Sequence, residues 1–186
     1  ISKFIMLQQL IINFLAVDKP GLLSAIATTV NDASCNILDS RQAIFGQELS
    51  LTMIIEGNQT AITKAEMAIP MLCQEHDLLA MMKRTKHHEK QHLAHLLTIE
   101  FSGADIQGLL RDVSAYFHKN QSSISALRQK TYTCPDTKLE KVRCNIVVTV
   151  PDNIGIDGFI AQTQSFLSSL SLAATITDKH QNNWSE

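Results

Sequence analysis

With 186 residues, 45% of them apolar, the chain can bury one sizeable core or two small ones. A formal charge of −2 and a pI near 6.4 argue against a protein that holds nucleic acid through its phosphates. No apolar run approaches the roughly 20 residues that cross a bilayer, and the opening Ile1–Met6 lacks the core and cleavage site of a signal peptide, so a soluble cytoplasmic protein with no membrane partner is expected.

Ile12 and Phe14 alternate with Asn13 at period two, which predicts a strand over Leu10–Val17 with one buried face. Asp18-Lys-Pro-Gly21 punctuates it, because Pro20 restricts its predecessor and Gly21 admits geometries that other residues avoid. Leu22, Leu23, Ile26, Ala27 and Val30 then fall on one face of a helix that reaches Asp32. Ala33-Ser-Cys-Asn36 breaks the helix, and Ile37–Phe45 resumes an extended pattern. Phe45-Gly-Gln47 reads as a hairpin turn, with Leu49, Leu51, Met53 and Ile55 sharing one face of the return strand. Glu56–Thr60 is expected as a loop, with Thr60 capping a helix over Ala61–His76 whose inward residues are Ile62, Met67, Ile69 and Leu72. Pro70 is expected to kink or end that helix. Asp77–Lys83 supplies a last short strand, and the order β-α-β-β-α-β is that of the ferredoxin-like unit.

Thr85–Gln91 is polar. With His92 and His95, its His87, His88 and Glu89 form the chain's one local cluster of metal-ligand side chains. A solvated, histidine-rich linker is the simpler reading, and no metal is expected. Strand Leu96–Phe101 follows, then a helix over Leu109–Asn120 with Leu110, Val113 and Phe117 inward. Strands Ser123–Thr133 and Leu139–Val150 flank a longer hairpin through Cys134–Lys138. A helix over Gly158–Leu170, a strand over Leu172–Thr177 and a polar tail complete the chain.

The second half repeats the first. At a constant offset, 97 − 10 = 87, Leu10, Ile12 and Phe14 fall on Leu97, Ile99 and Phe101. Asp18, Gly21 and Leu22 fall on Asp105, Gly108 and Leu109, and Arg41 and Gln42 on Arg128 and Gln129. One offset across strand, loop and helix marks an internal duplication. The expected organisation is an N-terminal domain over 1–84, a linker over 85–93, a C-terminal domain over 94–178 and a tail over 179–186.

Cys35, Cys73, Cys134 and Cys144 have no C-x-x-C spacing and read as reduced thiols of a cytoplasmic protein. There is no Gly-x-Ser-x-Gly elbow, P-loop or His-Glu-x-x-His helix, and Asp152, Asp157 and Glu140 form no paired-carboxylate site. A protein without enzymatic activity is expected.

A βαββαβ unit with Asp-x-Pro-Gly after the first strand and Asn-Ile at the second resembles the ACT domain. The runs Cys35-Asn-Ile-Leu-Asp-Ser-Arg41, Phe45-Gly46 and Gln74–Thr85 resemble more closely the glycine cleavage system transcriptional repressor family. The resemblance covers nearly the whole chain and implies an α+β fold of two tandem ferredoxin-like ACT domains. It implies a regulator that responds to a small amino acid, glycine first, and restrains a separate DNA-binding activator of the glycine cleavage genes by protein contact. No cofactor beyond that regulatory ligand is implied.

In ACT domains the ligand sits near the loop after strand one and the start of strand two, often where domains pair. On this chain that selects Asp18, Lys19, Pro20, Gly21 and Leu22, with Asn36, Ile37 and Leu38. The N–H groups near Gly21 and Leu22 would meet the carboxylate; Asn36 can serve either end of a zwitterion; Asp18 would attract the ammonium or else cap the helix. The second copy has Ile106, Gln107 and Ser123 where the first has Lys19, Pro20 and Asn36, so the first is expected to bind and the second to serve pairing. Association of the domains is expected, and a homodimer is left open. Two other readings stand beside this one: an ACT-type adaptor with no working pocket, and a regulatory subunit of an amino-acid metabolic enzyme.

Overall fold

Strand β1 (Leu7–Val17) lies inside a four-stranded antiparallel sheet of order β2-β3-β1-β4, with β2 at Asn36–Phe45, β3 at Glu48–Asn58 and β4 at Leu79–Thr85. Helices α1 (Leu22–Asp32) and α2 (Gln59–His76) join these strands. The computed structural model describes residues 6–85 and 95–178, and the chain divides into two compact units, 1–89 and 90–186. The second unit repeats the plan with β5 (His95–Ala104), α3 (Leu109–Lys119), β6 (Ser123–Thr133), β7 (Glu140–Val150), α4 (Ile156–Ser169) and β8 (Ala173–Asp178), in sheet order β6-β7-β5-β8. The fold is α+β, two tandem ferredoxin-like units. The histidine-rich stretch at 87–92 lies outside the described residues.

Each core forms where the period-two rows of the inner strands meet the helices. Leu10, Ile12 and Phe14 of β1, and Leu49, Leu51, Met53 and Ile55 of β3, are buried on the helix side with Ile26, Val30, Ile62 and Ile69. The second core has the same layout around Leu97, Ile99, Val113, Phe117, Ile146 and Phe159. The inward face of α1 is narrower than expected, and that of α3 begins at Leu109 in place of Leu110. Leu22, Ile26 and Val30 are buried and Leu23 is half exposed; Leu109 is buried and Leu110 exposed. The turn glycine takes the N-cap, so the leucine directly after it starts the i, i+4, i+8 row.

Other local expectations are corrected. Strand β3 runs into α2 with no loop, and Asn58, not Thr60, caps the helix: its Oδ1 accepts the Ala61 N–H at 2.9 Å. Helix α2 does not end at Pro70, which is exposed, but continues to His76. Met67 is exposed as well. Strand β4 extends through Thr85, which pairs with Gln9.

The four helices among the described residues end alike. Ser34, Asp77, Gln121 and Ser171 adopt left-handed backbone. The next N–H then reaches back to a carbonyl five residues earlier: Cys35 to Val30, Leu78 to Cys73, Ser122 to Phe117 and Leu172 to Leu167, at 2.9–3.1 Å. Duplication has kept even this terminating turn.

The cysteines are free thiols. Cys144 pairs with Gln129, whereas the Cys134 N–H donates to the Leu139 carbonyl, so the two sit at different levels of one hairpin. Burial pushes the Cys144 thiol up to about 11. Hydrogen bonds from the Thr137 side chain and from the Thr137 and Asp136 backbone, with help from the Lys141 charge, bring Cys134 down to about 7 from 9.0. Between those pH values the unfolded chain binds more protons at Cys134 than the folded chain does, so its contribution to stability rises from pH 7 to 9 and is lost as pH falls through 7. Denaturation midpoints are therefore expected to separate wild type from Cys134→Ser increasingly over this window. Parallel curves would show that the thiolate is not favoured by the fold.

Candidate functional site

The loop between β1 and α1 is a single turn of defined type. The Leu22 N–H donates to the Lys19 carbonyl at 3.2 Å, with Pro20 and Gly21 between them and Gly21 at φ 86°, ψ −9°. That is a type II turn, whose first central position suits proline and whose second demands positive φ. Pro20 therefore presets the turn and Gly21 permits it. The second unit builds the same turn without proline, with Leu109 donating to Ile106 at 3.1 Å and Gly108 at φ 85°, ψ 4°.

Because the N-cap is glycine, no side chain caps α1. Asp18 is not a cap; its backbone N–H instead donates to the Gln47 carbonyl at 2.8 Å. The first turn of α1 carries no acidic residue, and the Leu23 and Ser24 N–H groups have no bonded partner among the described residues. Nothing lies within 4 Å of where a Cβ on Gly21 would stand. These exposed dipoles, at the positive end of a helix, suit a small anion. In the second unit the corresponding place is covered. The Arg111 guanidinium lies 3.1 Å from the Cβ position of Gly108, and its Nε donates to Asp112 in the first turn of α3 at 2.8 Å. Asp112 already supplies the negative charge that the helix end favours.

Asn36, Ile37 and Leu38 do not join the Asp18–Leu22 loop within the unit. Asn36 stands level with Glu56 and Gln9, whereas the loop leaves the sheet after Val17, level with Glu48. Eight residues of strand separate the two levels, about 26 Å. Ile37 and Leu38, apolar at the head of β2, are 36% and 46% exposed. A β-bulge lies between Ile37 and Asp39, at the start of an edge strand exposed along its whole length. The bulge recurs between Ile124 and Ala126.

Around the loop the structure places residues that periodicity treats as mere turn. The Phe45-Gly46-Gln47 hairpin is tied to Asp18, and the Phe45 ring is largely exposed beside it. The signal was the Phe-Gly pair itself, whose glycine has φ 66°. Across the open face of each sheet, a polar pair spans the two inner strands beside the repeated arginine. Thr52 Oγ1 donates to Asn13 Oδ1 at 2.7 Å in the row of Arg41, and Asn145 Nδ2 donates to Glu100 Oε1 at 2.8 Å in the row of Arg128. Among the described residues no group of side chains is arranged to hold a metal ion, and no helix is long and apolar enough to cross a membrane.

Residues 8–83 match the ACT domain family. The chain is 30% identical over 142 residues to the glycine cleavage system transcriptional repressor of Escherichia coli K12, covering 76% of this chain and 75% of that one, and the Shigella flexneri protein of the same name matches equally. A crystal structure that carries the name of this repressor superposes with a TM-score of 0.74 at 28% identity, covering 93% of this chain and 98% of the other. A Galdieria sulphuraria protein of unknown function shares the fold, with a TM-score of 0.72 at 15% identity and coverage of 93% and 99%.

Proposed function

Because this chain belongs to the glycine cleavage system transcriptional repressor family, we propose that it is a cytoplasmic, non-enzymatic regulator that senses a small amino acid, glycine first. On this reading it restrains a DNA-binding activator of the glycine cleavage genes by protein contact. The observation that carries the ligand half is the open type II turn at the head of α1, with its uncapped Leu23 and Ser24 N–H groups. The amino-acid carboxylate lies against Gly21, Leu22 and these N–H groups, with Asp18, Lys19 and Pro20 framing it. Asn36, Ile37 and Leu38 are too far away to serve the same molecule within one unit, so a second chain supplies them and the working sensor is a homodimer.

Thermal melting against a panel of single amino acids tests this. A ligand that binds only the native state at a hundredfold excess over its dissociation constant adds about 2.7 kcal/mol of stability. Glycine is expected to raise the midpoint selectively, and Asn36→Ala to lose most of the rise without lowering the unliganded melt, since Asn36 is exposed. The absence of a shift for every amino acid would favour the adaptor reading. Copurification with a metabolic enzyme in place of a transcription factor would favour the regulatory-subunit reading.

A further inference from the structure

The open faces of the two sheets have diverged in charge. In the second sheet, three successive cross-strand rows hold Arg128 with Asn145 and Glu100, Lys130 with Arg143, and Tyr132 with Lys141. The three equivalent rows of the first sheet hold Arg41 with Thr52 and Asn13, Ala43 with Ser50, and Phe45 with Glu48. These three rows thus carry four cations and a single carboxylate in the second sheet, against one charge of each sign in the first, where Arg41 is further matched by Asp39 at 3.6 Å. The chain as a whole is negative, so this concentration of positive charge is local to one face.

These rows shape a surface concavity of about 770 Å³, lined by Glu100, Arg128, Lys130, Tyr132, Arg143 and Asn145; in the first sheet a concavity of about 320 Å³ lies on the other side of Arg41, toward Asp39 and Ile54. The Arg143 guanidinium carbon stands 6.0 Å from the centre of the Tyr132 ring, which steadies a planar donor fork over the groove. Arg128, Lys130 and Arg143 are exposed. Successive rows on one strand face are about 6.6 Å apart, the spacing of alternate side chains along an extended polypeptide.

We propose that the open face of β6 and β7 is a docking surface for an acidic, extended segment of a partner protein. Its carboxylates pair with Arg128, Lys130, Lys141 and Arg143, and a donor side chain meets Glu100. A carboxylate fixed by Asn145 in the Arg128 row of the groove repels a nucleic-acid backbone but accepts a hydroxyl or amide from a peptide. This rests on the reading that the protein acts by contact with another protein. It adds where that contact lies and what chemistry it takes.

The test is fluorescence anisotropy of the full chain with three labelled probes: a peptide alternating glutamate and threonine, one alternating lysine and threonine, and a single-stranded oligonucleotide. The glutamate peptide is expected to bind best, and its affinity to fall with added salt. The double variant Lys130→Glu/Arg143→Glu is expected to lose about tenfold or more. Lys130→Gln/Arg143→Gln should lose less and guards against a folding defect. Unchanged binding of the reversed variant, equal binding of the lysine peptide, or tighter binding of the oligonucleotide would each overturn the proposal. Asn36→Ala is expected to leave peptide binding intact, and the charge reversal to leave the glycine-induced melting shift intact, so failure of the sensor and failure of the docking face are told apart.

Discussion

Replacing Phe117 by alanine is expected to destabilise the second unit by about 3–5 kcal/mol and to leave the first unit's melt in place. Phe117 is buried where α3 meets α4. Its ring lies 5.3 Å from Tyr116, edge-on, and 6.3 Å from Phe159. Tyr116 in turn stacks on Phe166 at 4.1 Å and shares a 3.2 Å hydrogen bond with the buried Thr163 hydroxyl. Removing the ring opens a void among side chains fixed by one another, which limits how far they can relax. The first unit owes its core to other residues and shares none of this cluster. Calorimetry should therefore resolve two transitions in the variant, one of them unmoved. A single transition lowered as a whole would mean that the two cores fold as one cooperative body.

Gly21→Val is expected to cost the first unit about 2 kcal/mol and to abolish the amino-acid-dependent shift. The cause is the backbone. A Cβ on Gly21 would meet nothing within 4 Å, so no clash contributes, but φ of 86° is a conformation that a β-branched residue strongly resists. Gly21→Asn provides the control, because asparagine tolerates left-handed backbone, and it should recover most of the stability. If valine and asparagine melted alike, the turn would be free to adopt another conformation and would not hold N–H groups in place for a ligand. Calorimetric titration of glycine into both variants separates loss of the site from loss of the fold.

The duplication, the order of elements and most of the core were legible because apolar spacing reports directly which face of a strand or helix is covered. Ile12 and Phe14, and their counterparts Ile99 and Phe101, are all buried. What sequence misjudged was set by geometry at element ends. Leu23 reads as a core residue until the glycine N-cap fixes where the helix starts. Leu110 likewise reads as inward, yet Leu109 is the residue buried, because Gly108 takes the N-cap. For the candidate site, the turn was visible as Asp-Lys-Pro-Gly. The distance from that turn to Asn36 was not, because residues close in a motif's description stand at opposite ends of a sheet. The charged face of β6 and β7 escaped notice because its cations come from two strands, and only the register places Lys130 opposite Arg143.

In each unit the inner strand that begins the chain is also the one that closes last. Leu10 is flanked by Ile55 on one side and by Arg84 on the other, so one of its neighbours is not synthesised until 74 residues later (84 − 10). On the ribosome, β1 must wait with one edge unpaired while α1, the β2–β3 hairpin and α2 emerge. Non-local pairing of this kind slows folding and prolongs the exposure of apolar strand surface. The polar residues that follow Thr85 then emerge while β1 and β4 join, a pause in hydrophobic sequence that lets one copy finish before its near-duplicate offers competing strands.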